Sequence, residues 1–263
     1  MKAQPSGGFE WVQAAGGPAL VCRALRPYAA HLFTTREWAL GSRAEAIDED
    51  WKPVADFLDD PAHLVRLHQV HGAAVVVRRA GEELPALPRP DADIVVSDDP
   101  SLALAIQTAD CVPLLIADRA TGAVAAAHAG WRGLAAGVPG TTVAALAREF
   151  RSAPADLVAA VGPSISAERY EVGEDVRARF ESAGFSAAQL ARWFRPAPRA
   201  DRWLFDGWQS VQDQLESAGV PGGQIHAAAL CTATHPDLFC SYRRDGKGAG
   251  RIAAAIRRAS LKA

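Results

Sequence analysis

Residues 102–129 read LALAIQTADCVPLLIADRATGAVAAAHA, and this stretch decides the fold. It holds three short apolar runs: Leu102 to Ile106, Val112 to Ala117, and Ala123 to Ala127. Their length and flanking turn residues read as strands rather than helices. Read so, they place Cys111 and His128 at strand ends, where side chains from different strands converge on one pocket.

The pattern extends outward in both directions. Upstream, Leu64 to Leu67, Ala73 to Val77 and Asp93 to Val96 also read as strands. Asp48 to Leu58 spaces Trp51, Val54, Phe57 and Leu58 at helical intervals. Gly81 to Pro90 carries Pro85, Pro88 and Pro90 and reads as a loop, because proline blocks both helix and central strand. Downstream, a helix is expected after Gly133, with Pro139 suited to a first turn before Thr142 to Phe150. Leu157 to Val161 reads as a buried strand, and Glu174 to Ser182 and Gly207 to Ala218 as helices. Gln224 to Leu230 is expected to be a strand entering Cys231. Gly250 to Ile256 fits helix or strand, and the strand is preferred. Strands in series with inserted helices predict an α+β fold: a single domain over residues 1–263, with a mixed β-sheet core and flanking helices. Neither an internal repeat nor a composition break argues for a second domain.

Composition narrows the function classes. A net charge of −2 gives no basic field for nucleic acid. No run approaches the ~18 consecutive apolar residues of a membrane span. The first eight residues lack the apolar core of a secretion signal. The four cysteines, at positions 22, 111, 231 and 240, form no Cys-x-x-Cys pair. A cytoplasmic protein with free thiols is the expectation.

The residues that carry chemistry lie in three segments: His68-Gln69-Val70-His71-Gly72, Ala109-Asp110-Cys111-Val112-Pro113, and His128-Ala129-Gly130-Trp131-Arg132-Gly133. Two histidines and a cysteine make a partial shell for zinc or copper with one position open, as a catalytic ion needs. His68 and His71 are three apart, which on a strand sends them to opposite faces, so only one enters the site. The glycines around Trp131 let backbone approach a ligand, and amides there are expected to cradle an anion. Trp131 offers a stacking surface. His31, His63, His226 and His235 have no ligand spacing, and Cys231 and Cys240 read as packing residues, with His235 near the pocket border.

Taken together, Gln69-Val70-His71-Gly72, Ala109-Asp110-Cys111-Val112-Pro113, His128-Ala129-Gly130-Trp131-Arg132-Gly133 and Ser241-Tyr242-Arg243-Arg244-Asp245-Gly246 resemble the YfiH-like family. That family is also known as polyphenol oxidase or laccase-like, and is described as purine nucleoside phosphorylase with adenosine deaminase activity. Weaker matches are Phe33-Thr34-Thr35-Arg36, Asp91-Ala92-Asp93, Gly162-Pro163-Ser164-Ile165, Tyr170-Glu171-Val172-Gly173 and Cys231-Thr232. The resemblance runs from Phe33 to Arg251. It selects His71 over His68 and implies that His71, Cys111 and His128 are both metal ligands and catalytic residues. The implied ion is zinc, with copper as the alternative. Arg36, Arg132 and Arg243 are the implied substrate and phosphate contacts. The implied substrates are adenosine, inosine and S-methyl-5′-thioadenosine with phosphate, turned over by a monomer or weak homodimer. One departure stands out: Trp38 follows the Thr-Thr-Arg segment where the family carries glycine-rich sequence.

Three alternatives follow from the same residues. A multicopper oxidase needs clustered His-x-His pairs, and the sequence has none. A single copper in the trio leaves phenol oxidation as a side activity. A metal-free cysteine hydrolase or amidase would use Cys111 as nucleophile and His128 as base, oriented by Asp110 or another carboxylate. A nucleotide-binding protein without turnover would bind and not convert its ligand.

Overall fold

The computed structural model describes residues 3–41, 48–59, 64–83 and 88–259. Among them the strands are β1 (Phe9–Ala14), β2 (Gly17–Cys22), β3 (Ala29–Thr34), β4 (Leu64–Arg66), β5 (Val75–Arg78), β6 (Ile94–Ser97), β7 (Ala103–Thr108), β8 (Val112–Asp118), β9 (Val124–Ala129), β10 (Leu157–Val161), β11 (Glu171–Gly173), β12 (Phe194–Pro196), β13 (Arg202–Phe205), β14 (Ile225–Ala227) and β15 (Ile252–Arg258). The helices are α1 (Lys52–Phe57), α2 (Trp131–Ala135), α3 (Val138–Phe150), α4 (Glu174–Ser182), α5 (Ala187–Trp193), α6 (Gly207–Ser217) and α7 (Tyr242–Asp245).

The fold is α+β, a single domain built on mixed sheets. The expected core sheet is in fact two stacked six-stranded sheets, with a small third one. The first runs β1-β2-β3-β15-β7-β4 and the second β14-β10-β8-β9-β6-β5. Both are mixed, because β4 pairs parallel with β7, β5 with β6 and β10 with β14, while the remaining neighbours run antiparallel. A short β11-β13-β12 sheet stands apart.

The apolar runs now have a reason. Leu115 and Ala117 of β8 face the first sheet and pack with Leu104, Ile106, Ala254 and Ile256. Leu114 and Ile116 face the other way, onto Val143 and Leu146 of α3 and Val211 and Leu215 of α6. A strand covered on both sides cannot alternate polar with apolar, so it reads as an unbroken run. The alanines of β9 and β15 keep side chains short where the sheets meet. β15 lies between β3 and β7, antiparallel to both, which resolves its helix-or-strand ambiguity in favour of strand.

Some expectations change. The β1–β3 meander was not read from sequence, and neither were α5, β12 and β13. The strand expected over 224–230 stops at Ala227, and Ala229 in the left-handed region (φ 53°) turns the chain before Cys231. The helix after Gly133 starts earlier, at Trp131, and is interrupted at Gly137 (φ 79°) before α3 begins. Within the 81–90 loop, residues 84–87 lie outside the described residues, as does His63. No helix among the described residues is long and apolar enough to cross a membrane.

Trp38 lies away from the chemistry. It is buried on the outer face of the first sheet with Leu40, Trp51 and Val54, and its indole N–H donates to the Pro18 carbonyl at 2.9 Å. It is a packing residue, and its size is met by Gly16, where a Cβ would come within 2.5 Å of the ring. Trp38→Ala is therefore expected to cost about 3–5 kcal/mol in denaturant unfolding, without changing affinity for ligands of the cleft described below. A loss of ligand affinity in a folded variant would contradict this placement.

Candidate active site

The chain crosses from the first sheet to the second at two adjacent places. One crossing leads from β4 to β5 and carries His71. The other leads from β7 to β8 and carries Cys111. Because β4 and β7 are parallel neighbours, both crossings leave the same end of the first sheet. His128 comes to meet them near the end of β9, opposite Pro113 in the register with β8. Both crossings use a left-handed residue that is not glycine, His71 (φ 62°) and Asp110 (φ 87°). Such strain is held only where surrounding bonds over-determine it.

Those bonds come from two carboxylates. Asp93, at the head of β6, is fully buried. It accepts backbone N–H bonds from Val70 (3.2 Å), His71 (3.0 Å) and Gly72 (2.6 Å), and a ring N–H bond from His128 Nδ1 at 2.7 Å. Burial alone would raise its carboxyl pKa, but the His128 bond and the amide donors prevail and hold it below the ordinary range. Asp110 accepts from the Thr232 hydroxyl and from the Arg243 backbone N–H, each at 2.6 Å. Gln69 adds a clamp: its side chain donates to the Gln107 carbonyl at 2.9 Å and accepts from the Gln107 N–H at 2.7 Å. The 68–72 turn is thereby tied to β7.

His71, Cys111 and His128 converge with their ligand atoms all within 4.8 Å of one another. The two imidazoles stand edge to face, centroids 4.7 Å apart. Because Asp93 takes Nδ1, His128 turns its other nitrogen toward Cys111. Burial works against charge on both groups, and their mutual attraction overcomes it. Facing His128 and then His71, the Cys111 thiol falls to about 6 despite its burial. His128 rises to about 9, again against burial, through the Cys111 charge and the Asp93 bond.

The donor set fits a metal ion. Thiolate and imidazole suit zinc or copper, and a carboxylate behind a ligating histidine fixes its tautomer. Gly130 lines the group so closely that an added Cβ would lie 2.9 Å from Cys111 Sγ and 3.2 Å from His71 Cδ2. One such three-ligand group is found among the described residues, which is the shell of one ion and not of a copper cluster.

The trio opens into a cleft of about 1080 Å³. Trp131, Tyr170 and Tyr242 line it, with Arg132 and Arg243. Arg132 stacks on the Trp131 ring at 4.4 Å, and Arg243 on Tyr170 at 5.1 Å while donating to the Glu171 carbonyl at 2.9 Å. Burial, then the charges of Cys111 and Asp110, push the Tyr170 phenol well above its ordinary range, so it stays neutral.

Several sequence expectations are corrected here. β4 ends at Arg66, so His68 and His71 are separated by a turn and not by strand alternation. His68 is at the exposed rim, paired with Asp91 at 2.6 Å. Arg36 is not among the residues lining the cleft, and its guanidinium donates to the Pro236 carbonyl. Asp110 does not orient His128, because Asp93 does. The amides after Gly130 open a helix of only five residues, too short to build the dipole of an anion cradle. His31 is buried, accepts from the Cys22 N–H at 2.8 Å and is pushed down to about 4, chiefly by burial. His235 is bonded to the Cys231 carbonyl at 2.8 Å and does not line the cleft. Asp93 carries no role in the sequence reading beyond its place in a weaker motif. Its signal is present, since an acid heading the buried run Ile94 to Val96 needs a buried partner.

A family model described as "Multi-copper polyphenol oxidoreductase laccase" matches residues 33–259. The chain belongs to this family, the YfiH-like family. It is 38% identical over 216 residues to "Purine nucleoside phosphorylase YfiH" of Escherichia coli, covering 82% of each chain. It is 40% identical over 164 residues to "Purine nucleoside phosphorylase" of Bacteroides thetaiotaomicron, covering 62% of this chain and 60% of that one. The structure of the Bacillus licheniformis "hypothetical protein YfiH" superposes with a TM-score of 0.83 at 27% identity, over 91% of this YfiH-like chain and 96% of the other.

The Cys111 ion pair has a measurable consequence. In metal-stripped protein, alkylation of Cys111 should rise with pH around a midpoint near 6, since only the thiolate reacts and its pKa is lowered. His128→Gln removes the facing cation and should raise that midpoint by about a unit or more. An ordinary thiol midpoint near ~8.5 in both proteins would show that the pair is not formed.

Proposed function

We propose that this YfiH-like chain is a metal-dependent purine nucleoside phosphorylase. In this reading it converts adenosine or inosine and phosphate to free base and ribose 1-phosphate, with adenosine deamination as a weaker activity. S-methyl-5′-thioadenosine is a further substrate of the same kind. The observation that carries the reading is the placement of the His71–Cys111–His128 group, two stacked arginines and three aromatic rings in one cleft. Phosphorolysis needs an anion, a flat base and a charge-stabilising centre side by side, and the names of the relatives point the same way.

The roles divide among the chain's own residues. Arg132 and Arg243 hold phosphate, each with its guanidinium plane already fixed by a ring. Trp131, Tyr170 and Tyr242 offer faces to the purine. Asp93 keeps His128 in one tautomer and the His71 turn in place. A phosphate oxygen bonds to C1′ as the C1′–N9 bond breaks, and the departing purine takes a proton. His71, Cys111 and His128 would hold zinc, or copper, and a bound ion would supply Lewis-acid stabilisation of developing charge.

A second reading rests on one specific observation. Cys111, His128 and Asp93 form a nucleophile, base and carboxylate in series, which is the arrangement of a cysteine hydrolase. Metal content separates the two.

Three results are expected from purified protein. Inosine should yield hypoxanthine only when phosphate is present, as read by chromatography. Arg243→Ala should raise the KM for phosphate by roughly tenfold, the loss of about one charge-assisted hydrogen bond. His71→Ala, Cys111→Ala, His128→Ala and the crowded Gly130→Ala should each lose metal by elemental analysis, while His68→Ala keeps it. Phosphate-independent release, or full activity in metal-free protein with an alkylation-sensitive Cys111, would favour the hydrolase.

A further inference from the structure

A second pocket of about 470 Å³ lies beside the cleft, lined by Arg169, Ala233, Thr234, Arg243 and Arg244. Arg243 lines both spaces, so it forms their common wall. Three arginines line one small volume, and the carboxylates beside them in sequence are engaged elsewhere. Asp245 is held by Arg244 at 2.6 Å, Glu168 by Arg195 at 3.3 Å and Glu171 by Arg199 at 3.1 Å. Asp110 is committed to the Thr232 hydroxyl and the Arg243 amide. Arg244 is neutralised by Asp245 and donates to the Thr232 and Phe239 carbonyls. Arg243 uses one nitrogen on the Glu171 carbonyl. Arg169 has no salt-bridge partner among the described residues. It extends from the short turn Ala167–Arg169, just before Tyr170 of the catalytic cleft.

Two guanidinium groups without a facing carboxylate, beside a third that is already neutralised, leave a local positive charge with forked donors. That arrangement matches a phosphate group in shape and sign. We propose that this outer pocket is a phosphate-recognising subsite, joined to the catalytic cleft through Arg243. Its ligand is a phosphate group, either free or carried by a purine nucleoside whose base lies in the cleft. The subsite goes beyond the phosphorylase reading, because Arg169 stands outside the cleft and outside the motifs that carry the resemblance.

The test is calorimetric titration of holoenzyme with AMP, with inorganic phosphate and with adenosine, for the wild-type protein, Arg169→Glu and Arg169→Lys. Arg169 is exposed, and an unchanged unfolding midpoint verifies that the variants are folded. The Glu variant should weaken AMP by about tenfold, and the Lys variant by less, because the charge remains. If AMP alone weakens, the subsite reads a phosphate borne by the nucleoside. If inorganic phosphate weakens equally, free phosphate is the ligand. If neither changes in the Glu variant, the subsite does not exist. Failure of adenosine to bind, with Arg169-dependent phosphate binding intact, would count against the phosphorylase reading and leave the subsite standing.

Discussion

The buried carboxylate of Asp93 is the constraint on which the candidate site depends. A charge removed from water is costly unless it is fully bonded. Here three backbone amides and one imidazole do the bonding. Each of those donors is itself part of the site. The amides hold the His71 turn in a backbone conformation that histidine seldom adopts, and the imidazole is His128. One side chain therefore fixes the position of His71 and the ring orientation of His128. Loss of Asp93 would leave the His71 turn without its anchor and the His128 ring without its Nδ1 partner, so the geometry of the trio is a property of the carboxylate as much as of the three residues themselves.

Asp110 does the corresponding work on the other side of Cys111. Its carboxylate reaches away from the trio, to Thr232 and to the backbone of Arg243. It thus joins the β7–β8 crossing to the segment that supplies Arg243 and Tyr242. Because Asp110 and Cys111 are consecutive, the thiol and the arginine wall are positioned by a single turn. In the cysteine-hydrolase alternative the sequence leaves the orienting acid open between Asp110 and another carboxylate. The turn at Asp110 (φ 87°) sends its carboxylate to Thr232 and Arg243, and the carboxylate that bonds His128 is Asp93, just ahead of β6.

The site was more legible than the fold around it. Cys111, His128 and His71 stand in the short segments that carry the family resemblance, and the resemblance, more than residue type, made their meeting foreseeable. The double-sheet architecture was not. Unbroken apolar runs such as 112–117 signal a strand covered on both sides, yet they do not say whether helix or sheet does the covering. The β1–β3 meander was missed because Gly16, Gly17 and Pro27 interrupt it, and its burial depends on partners such as β15 that lie more than two hundred residues away. Arg36 illustrates the limit of motif reasoning. It belongs to a matching segment, but its guanidinium is spent on a carbonyl of the 236 loop.

The stacked sheets also account for where the chemistry sits. The interiors of the central strands β8 and β9 are covered on both faces, so no polar group there has room for a ligand. The places with freedom are the crossings, where the chain leaves one sheet for the other and its backbone amides lack a ladder. Those amides must be satisfied, and a buried carboxylate satisfies them in one place. The same crossings leave side chains unpaired by strand neighbours and turned toward a common opening. The need to bond the backbone at the seam and the ability to assemble a reactive centre there are thus two results of one topology. His71 and Cys111 occupy the two seam positions that β4 and β7 create by running parallel, and His128 is the residue of β9 that reaches them.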